Sequence, residues 1–530
     1  MFKKQYMYVL FIALILLLAA CSNESSETEE GNDTTTETEN ESEESVSEET
    51  ASDVEQVIKI ANDQEPAGLD PHKTPAASSI RVYSKIYEGL VTFDENMEVE
   101  GQLAESWEQP DDTTYLFNLI EGVQFHNGRE MTAEDVKYSF ERILDEETAS
   151  HIASYFAGIE SIEVLGDYQV QFKLAEPDAT FLSNLTHSGA VIVPQEVVEE
   201  NGDLQQVAVG TGPFVFEEWV PDNSVTLTKN ENYYLDGIPK LNRIEYYTML
   251  EEASRLSAIR TGEIDMTTVN AQSAELLSGQ EGVEIKDYQS LEYSYVGFNV
   301  EHEILSDVKV RQALSLATNR QEIVDIAWKG EGLVTGPIAP SMADWSIDVE
   351  AHELYSNDVD KAKELLAEAG YADGFDITIT TASSYPDMVD TAQLLQQQWK
   401  EIGVNAEIQQ VEWGEYIDIW SNTSADILVG RNGSGSDPDR AMNYFFHTEG
   451  SANVWNFSSD EYDTLVEEAR RTIDLDARKE IYVEAQNLLL ELSPNLFMVS
   501  PKNYVAVRDS VVDYVPYAHS TEDLDEVFKK

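Results

Sequence analysis

Hydrophobic and polar positions recur along the chain with two different periods. A period of two runs through Tyr168-Gln169-Val170-Gln171-Phe172-Lys173-Leu174 and through Ile377-Thr378-Ile379-Thr380, the pattern of strands with one face buried. Helical spacing takes over elsewhere. Val136, Phe140, Ile143 and Leu144 share one face of a helix opened by Thr132-Ala133-Glu134-Asp135, a capping box with Asp in place of the usual Glu or Gln. Ala362, Leu365, Leu366 and Ala369 repeat the spacing before Gly370, as do Ala392, Leu395, Trp399 and Ile402 before Gly403. Glycine at those two places suits the left-handed residue that ends a helix. A strand is predicted over 404–408, and a late helix over 481–492 that stops before Pro494. Interleaved strands and helices predict the α/β class. No internal repeat and no long Gly/Pro linker separates them, so the domains are expected to be interwoven.

At 530 residues the chain has room for two to four domains of roughly 150 residues each. Lys3 and Lys4 precede an apolar run over 6–20, short for a membrane span and suited to a signal peptide over 1–20. The run ends in Leu18-Ala19-Ala20-Cys21, which resembles a bacterial lipobox, and Cys21 is the only cysteine. That resemblance implies a diacylglycerol on the Cys21 thiol and a chain held at the outer face of the cell membrane. Without a second cysteine there is no disulfide, and without a further one no thiol nucleophile or thiolate zinc cluster. Residues 22–55 carry 14 carboxylates and no Lys or Arg, so 21–55 reads as a lipidated cysteine followed by a solvated tether.

Acidic residues outnumber basic ones by 101 to 33, a net charge of −68. Such a field repels nucleic acid and anionic lipid headgroups, so partners should be neutral, zwitterionic or cationic. Self-repulsion on this scale reads as adaptation to high salt, high pH or both, with an ordinary acidic exported protein as the alternative. The eight histidines form no HExxH pair, and neither a GxSxG elbow nor a phosphate-binding GxxxxGK[ST] loop occurs. Gly430-Arg431-Asn432-Gly433-Ser434-Gly435 follows a strand without opening a helix, a weak nucleotide site. Asp437 and Asp439 are either an acid/base or cation pair or a solvated face. No cofactor or metal is expected.

Several strings, in this order, resemble one family. They include Leu69-Asp70-Pro71, Tyr87-Glu88-Gly89-Leu90, Leu103-Ala104-Glu105-Ser106-Trp107, Val123-Gln124-Phe125-His126-Asn127-Gly128-Arg129, Gly210-Thr211-Gly212-Pro213-Phe214, Gly262-Glu263-Ile264-Asp265 and Val310-Arg311-Gln312-Ala313-Leu314. Together they are similar to the family 5 extracellular solute-binding proteins, the peptide, dipeptide and nickel receptors of ABC importers. The resemblance runs from about residue 57 to 510. It implies a two-lobed, periplasmic-binding-protein-like fold of type II with an additional third domain. Lobe I would comprise 56–87, 190–300 and 501–530, the additional domain 88–189, and lobe II 300–500. It further implies a non-enzymatic monomeric receptor that closes on its solute and presents it to a permease. Cargo of another kind (a metal chelate, an opine, an oligosaccharide) would use the same fold. An extracellular hydrolase and a sensory receptor are the rivals of other classes.

The resemblance also implies site residues. Thr74, Ala76 and Ala77 in lobe I, and Gly430, Arg431 and Asn432 in lobe II, match segments that pair with a peptide backbone as an added strand. Trp413 matches a recurrent pocket aromatic, with a core tryptophan as the alternative. Tyr293, Tyr295 and Asn299 resemble lobe I residues near the cleft. Ser434 stands where related peptide receptors commonly carry an Asp for the ligand ammonium, and a serine supplies no such charge. Either Asp437 or Asp439 takes over from a shifted loop, or the ligand has no free amine there. Arg431 either clamps an anionic group or pairs internally with Asp437 or Asp439.

Overall fold

The computed structural model describes residues 55–519 and 522–530. The expected signal peptide, Cys21 and nearly all of the tether therefore lie outside the described residues. Among those described, no helix is long and apolar enough to cross a membrane.

Two large sheets and one smaller one organise the molecule. The first has eight strands and is centred on Val57–Asn62, which runs parallel to both Arg243–Thr248 and Met266–Val269. Flanked on both sides, this strand alternates only weakly and buries Ile58, Ile60 and Ala61. The second sheet has five strands in the order Val404–Val411, Phe375–Ala382, Ile427–Gly433, Glu292–Phe298 and Asn495–Phe497. Its first three are parallel, and the helices Pro386–Lys400 and Trp413–Ser421 provide the crossovers. The third sheet is antiparallel, four strands drawn from 104–174, covered by the helix Ala133–Leu144. Both halves of the Thr132/Asp135 capping box are formed.

Each sheet has its own core. The third packs Phe117, Phe140, Phe156 and Phe172 edge to face, with ring centroids 5.0 to 5.7 Å apart. The five-stranded sheet buries Tyr295, Phe298, Trp399, Trp455 and Phe497. Burial of these large side chains, at about 25 cal/mol per Å² of apolar surface, is the main stabilising contribution in a chain without a second cysteine.

Two details depart from the sequence reading. The late helix is Leu475–Leu492, beginning six residues before 481, because the Asp474 side chain accepts a bond from Ala477 N at 2.9 Å and Arg478 turns inward to a buried carboxylate. The strand Glu292–Phe298 pairs with Ile427–Gly433 and Asn495–Phe497, so it belongs with lobe II, whereas the resemblance implies lobe I up to residue 300. The chain passes between the large sheets at Ser290 and returns at Met498. Ser290 N–H donates to the Pro501 carbonyl at 3.0 Å, Met498 N–H donates to Ser294 O at 2.9 Å, and Ser500 Oγ donates to Ser290 O at 3.2 Å. These cross-links tie the two passes into one narrow seam, the place where a hinge would act.

Candidate ligand-binding cleft

The order of the parallel strands locates the site. From Phe375–Ala382 the chain crosses first to Val404–Val411 on one side and then to Ile427–Gly433 on the other, so the loops beyond Phe375–Ala382 and Ile427–Gly433 diverge. A crevice at the carboxyl ends of such strands follows from this reversal. A cleft of about 310 Å³ lies there.

One wall is the helix Trp413–Ser421. Trp413, Tyr416, Ile417 and Trp420 form a stripe at helical spacing, yet only Tyr416 is buried; Trp413 is 43% and Ile417 39% exposed. All four line the cleft, and Trp413 and Ile417 face it, whereas Tyr416 and Trp420 also pack against the core of this sheet. Trp413 stacks on Tyr416 with centroids 5.4 Å apart and planes 10° from parallel, and Tyr385 packs against it at 5.0 Å.

The floor is the strand Ile427–Gly433. It pairs along its whole length with Glu292–Phe298, but on its other side only Ile427 and Leu428 have strand partners. From Val429 to Gly433 that edge is open. Val429 O accepts the Tyr416 hydroxyl at 3.2 Å, and since backbone groups alternate in direction, Arg431 directs its N–H and C=O to the same edge. Gly430 permits the close approach of two phenols: a Cβ there would stand 2.3 Å from Tyr416 Oη and 2.4 Å from Tyr295 Oη. Burial pushes the Tyr416 phenol up to about 12, and it raises Tyr295 as well, so both remain neutral hydroxyls.

Arg431 is held by Asp387, with Nε to Oδ2 at 3.0 Å and Nη2 to Oδ1 at 2.5 Å. Its guanidinium lies 4.7 Å from the Trp328 ring and 5.6 Å from that of Tyr385. The charge is thereby neutralised within the protein. Glu292, the first residue of the neighbouring strand, also lines the cleft and is exposed.

A family profile described as bacterial extracellular solute-binding proteins, family 5, middle region, matches residues 98–453. The chain belongs to that family. It is a two-lobed solute-binding receptor with an additional domain, and a binding protein instead of an enzyme. Among family 5 relatives, di/tripeptide-binding protein 1 of Pseudomonas aeruginosa is 31% identical over 85% of this chain and 90% of its own length. Among solved structures, HbpA2 from Haemophilus parasuis matches with a TM-score of 0.81 at 27% identity, covering 89% of this chain and all of the other. The periplasmic binding protein DppA from Helicobacter pylori, in complex with the peptide STSA, matches with a TM-score of 0.73 at 28% identity, covering 89% and 98%.

Within this family 5 receptor the residues singled out in the sequence fall into three groups. Tyr295, Trp413, Arg431 and Asn432 line the cleft, and Gly430 lies on the strand beneath it. Thr74, Ala76 and Ala77 lie in the other lobe. Thr74 Oγ1 donates to Gln205 Oε1 at 3.1 Å, and Ala77 already begins the helix Ala77–Tyr83, so only the residues before it offer extended backbone. Ligand contact is not where the rest are placed. Tyr293 is fully buried, packed 5.5 Å from Phe497. Asn299 lies beyond the opposite end of its strand, accepting from Asn456 Nδ2 at 3.2 Å.

Ser434 and the two aspartates require correction. Ser434 is fully buried, its N–H bonded to Leu291 O at 2.8 Å and its hydroxyl accepting from Ala339 N at 3.0 Å, so it faces no solute. The Asp437 carboxylate accepts two bonds from Arg478 at 2.7 and 3.0 Å, one from Ser183 Oγ at 2.8 Å and one from Asp439 N at 2.8 Å. It is saturated and joins the additional domain to lobe II. Neither Asp437 nor Asp439 pairs with Arg431; Asp387 does, from 44 residues earlier. Sequence reasoning missed Tyr385, Tyr416, Ile417, Trp420 and Glu292. The four-residue apolar stripe from Trp413 was the available signal, although a stripe alone does not say whether it faces core or cavity.

Proposed function

We propose that this receptor captures short peptides against the cleft of lobe II, closes lobe I over them and delivers them to the permease of an ABC importer, held at the outer face of the cell membrane through Cys21. The observation that carries the reading is the open edge from Val429 to Gly433, beside the aromatic wall of Trp413 and Tyr385. A strand edge binds backbone amides irrespective of side chain, and flat aromatic surface accepts varied apolar groups; together they suit a sequence-tolerant peptide receptor. The peptide-binding relative from Pseudomonas aeruginosa and the peptide complex of the Helicobacter pylori protein support the same cargo. The cleft volume of about 310 Å³ fits a ligand of a few residues.

Calorimetry with the chain beginning at Ser22 tests the proposal, using the tripeptide Ala-Phe-Ala and copies N-methylated at each internal amide. Binding of the parent, with a loss of about tenfold or more on methylating one amide, is the expected result. Equal affinity of every methylated copy would remove strand pairing from the account.

A further inference from the structure

The charges lining the cleft do not balance. Arg431 is paired by both carboxylate oxygens of Asp387, leaving that pair neutral. Glu292 lines the same cleft, and its carboxylate takes part in no hydrogen bond or ion pair within the described structure. Strand register places Glu292 opposite Gly433 and Ser294 opposite Arg431, so Glu292 and Arg431 are diagonal neighbours on one face. Asp387, and not this diagonal neighbour, holds Arg431, so the Glu292 carboxylate keeps no counter-charge among the described residues. Glu292 also stands two residues past Ser290 at the seam, and it acts electrostatically on Tyr288 of the other lobe.

A carboxylate in this position is hydrated while the cleft is empty and loses that hydration when solute fills it. Without a counter-charge the loss is unfavourable; an anionic group would add repulsion, and a neutral group would leave the carboxylate unpaired. Aromatic faces around the cavity add attraction for a cation. The negative field of the whole molecule draws cations toward the site and repels anions.

From this geometry we infer that Glu292 is the specificity-determining residue of the cleft and that the solute presents an ammonium or guanidinium group to it. This rests on the peptide-receptor reading and narrows it to peptides bearing an accessible positive group, either the α-ammonium or a basic side chain. Acidic peptides without a free amine are excluded.

Calorimetry on wild type and Glu292→Gln, with two matched peptide pairs, tests the inference. Ala-Phe-Ala against its N-acetylated form reports the α-ammonium, and N-acetyl-Ala-Lys-Ala against N-acetyl-Ala-Glu-Ala reports the side chain. In wild type, the positively charged member of at least one pair should bind about tenfold or more tightly than its partner. Glu292→Gln should bring that ratio to within about twofold, and N-acetyl-Ala-Phe-Ala, which has no positive group, should bind the variant more tightly than wild type, because no unpaired carboxylate is then stripped of water. The pair that responds identifies the source of the charge. A ratio that survives in Glu292→Gln, or wild type that binds all four peptides equally, overturns the assignment while the peptide-receptor reading stands. Failure of every peptide to bind overturns both.

Discussion

Replacing Asp437 by Asn separates a structural role from a ligand-binding one. Asp437 is 8% and Arg478 4% exposed as residues, so the pair is effectively out of water. Asparagine has the same shape but no charge, and its amide nitrogen would stand as a donor at the place of either Oδ1 or Oδ2, each of which accepts from Arg478. One Arg478 bond is then lost in either orientation, together with the bond from Asp439 N–H at Oδ1 or from Ser183 Oγ at Oδ2. Hydrogen bonds to charged groups contribute about 1.5–3 kcal/mol each, and breaking a buried ion pair from one side costs about 3–5 kcal/mol. Asp439 lies close by and partly compensates Arg478, which places the expected loss near about 3 kcal/mol. Urea unfolding followed by far-UV circular dichroism and by tryptophan fluorescence measures it, with both probes required to agree before a free energy is taken. The double variant Asp437→Asn with Arg478→Met, which removes the stranded charge, should recover at least half of the loss. Peptide affinity should be unchanged in the single variant, because Asp437 does not line the cleft. Wild-type stability together with a tenfold loss of affinity would refute the reasoning and return Asp437 to the ligand site.

Three further outcomes are expected. Trp413→Ala should weaken peptide binding about five- to fiftyfold while shifting the urea midpoint little, since the side chain is 43% exposed and its packing partners Tyr416 and Tyr385 remain; unchanged affinity by calorimetry would contradict this. Gly430→Ala places a methyl group against the Tyr295 and Tyr416 hydroxyls and should destabilise lobe II by about 1–3 kcal/mol, read from urea unfolding; a neutral substitution would mean the phenols move aside freely. Burial pushes Asp439 up to about 6 and Asp525 up to about 7, against 3.8 for an ordinary aspartate, so between those values the folded chain binds more protons than the unfolded one. Stability from this source is fully present below the ordinary value and declines as pH rises through the folded values. The unfolding free energy from urea titrations should therefore fall between pH 5 and pH 8, by on the order of 1–2 kcal/mol for Asp439, and Asp439→Asn should flatten that decline; a rise with pH in both proteins would contradict it.

Much of the fold was legible in the sequence because its signals are local. The Thr132/Asp135 box and the strand at 404–408 depend on neighbours within a few residues, and the structure places them where the pattern did. The family strings carried the two-lobed architecture. What escaped the sequence depends on partners distant along the chain. Arg478 reaches Asp437 from 41 residues away, and Asp387 reaches Arg431 across 44, so spacing could not distinguish a ligand carboxylate from a structural one. The lobe boundary at Ser290 was missed because the strands on either side, Val283–Gln289 and Glu292–Phe298, are separated by only two residues. Glu292 drew no notice among 101 acidic residues; its place in the cleft and the absence of a partner among the described residues distinguish it. The glycines at 430, 433 and 435 resembled a phosphate-binding loop, whereas Gly430 is required by two phenols packed over the strand.

Mass spectrometry of small molecules released on denaturing the chain purified from Ser22 onward, kept in high salt, tests the central claim most directly. The account predicts a set of short peptides of varied sequence, in total close to one per protein, each with a free amine or a basic residue. A single non-peptide compound at that stoichiometry would contradict it.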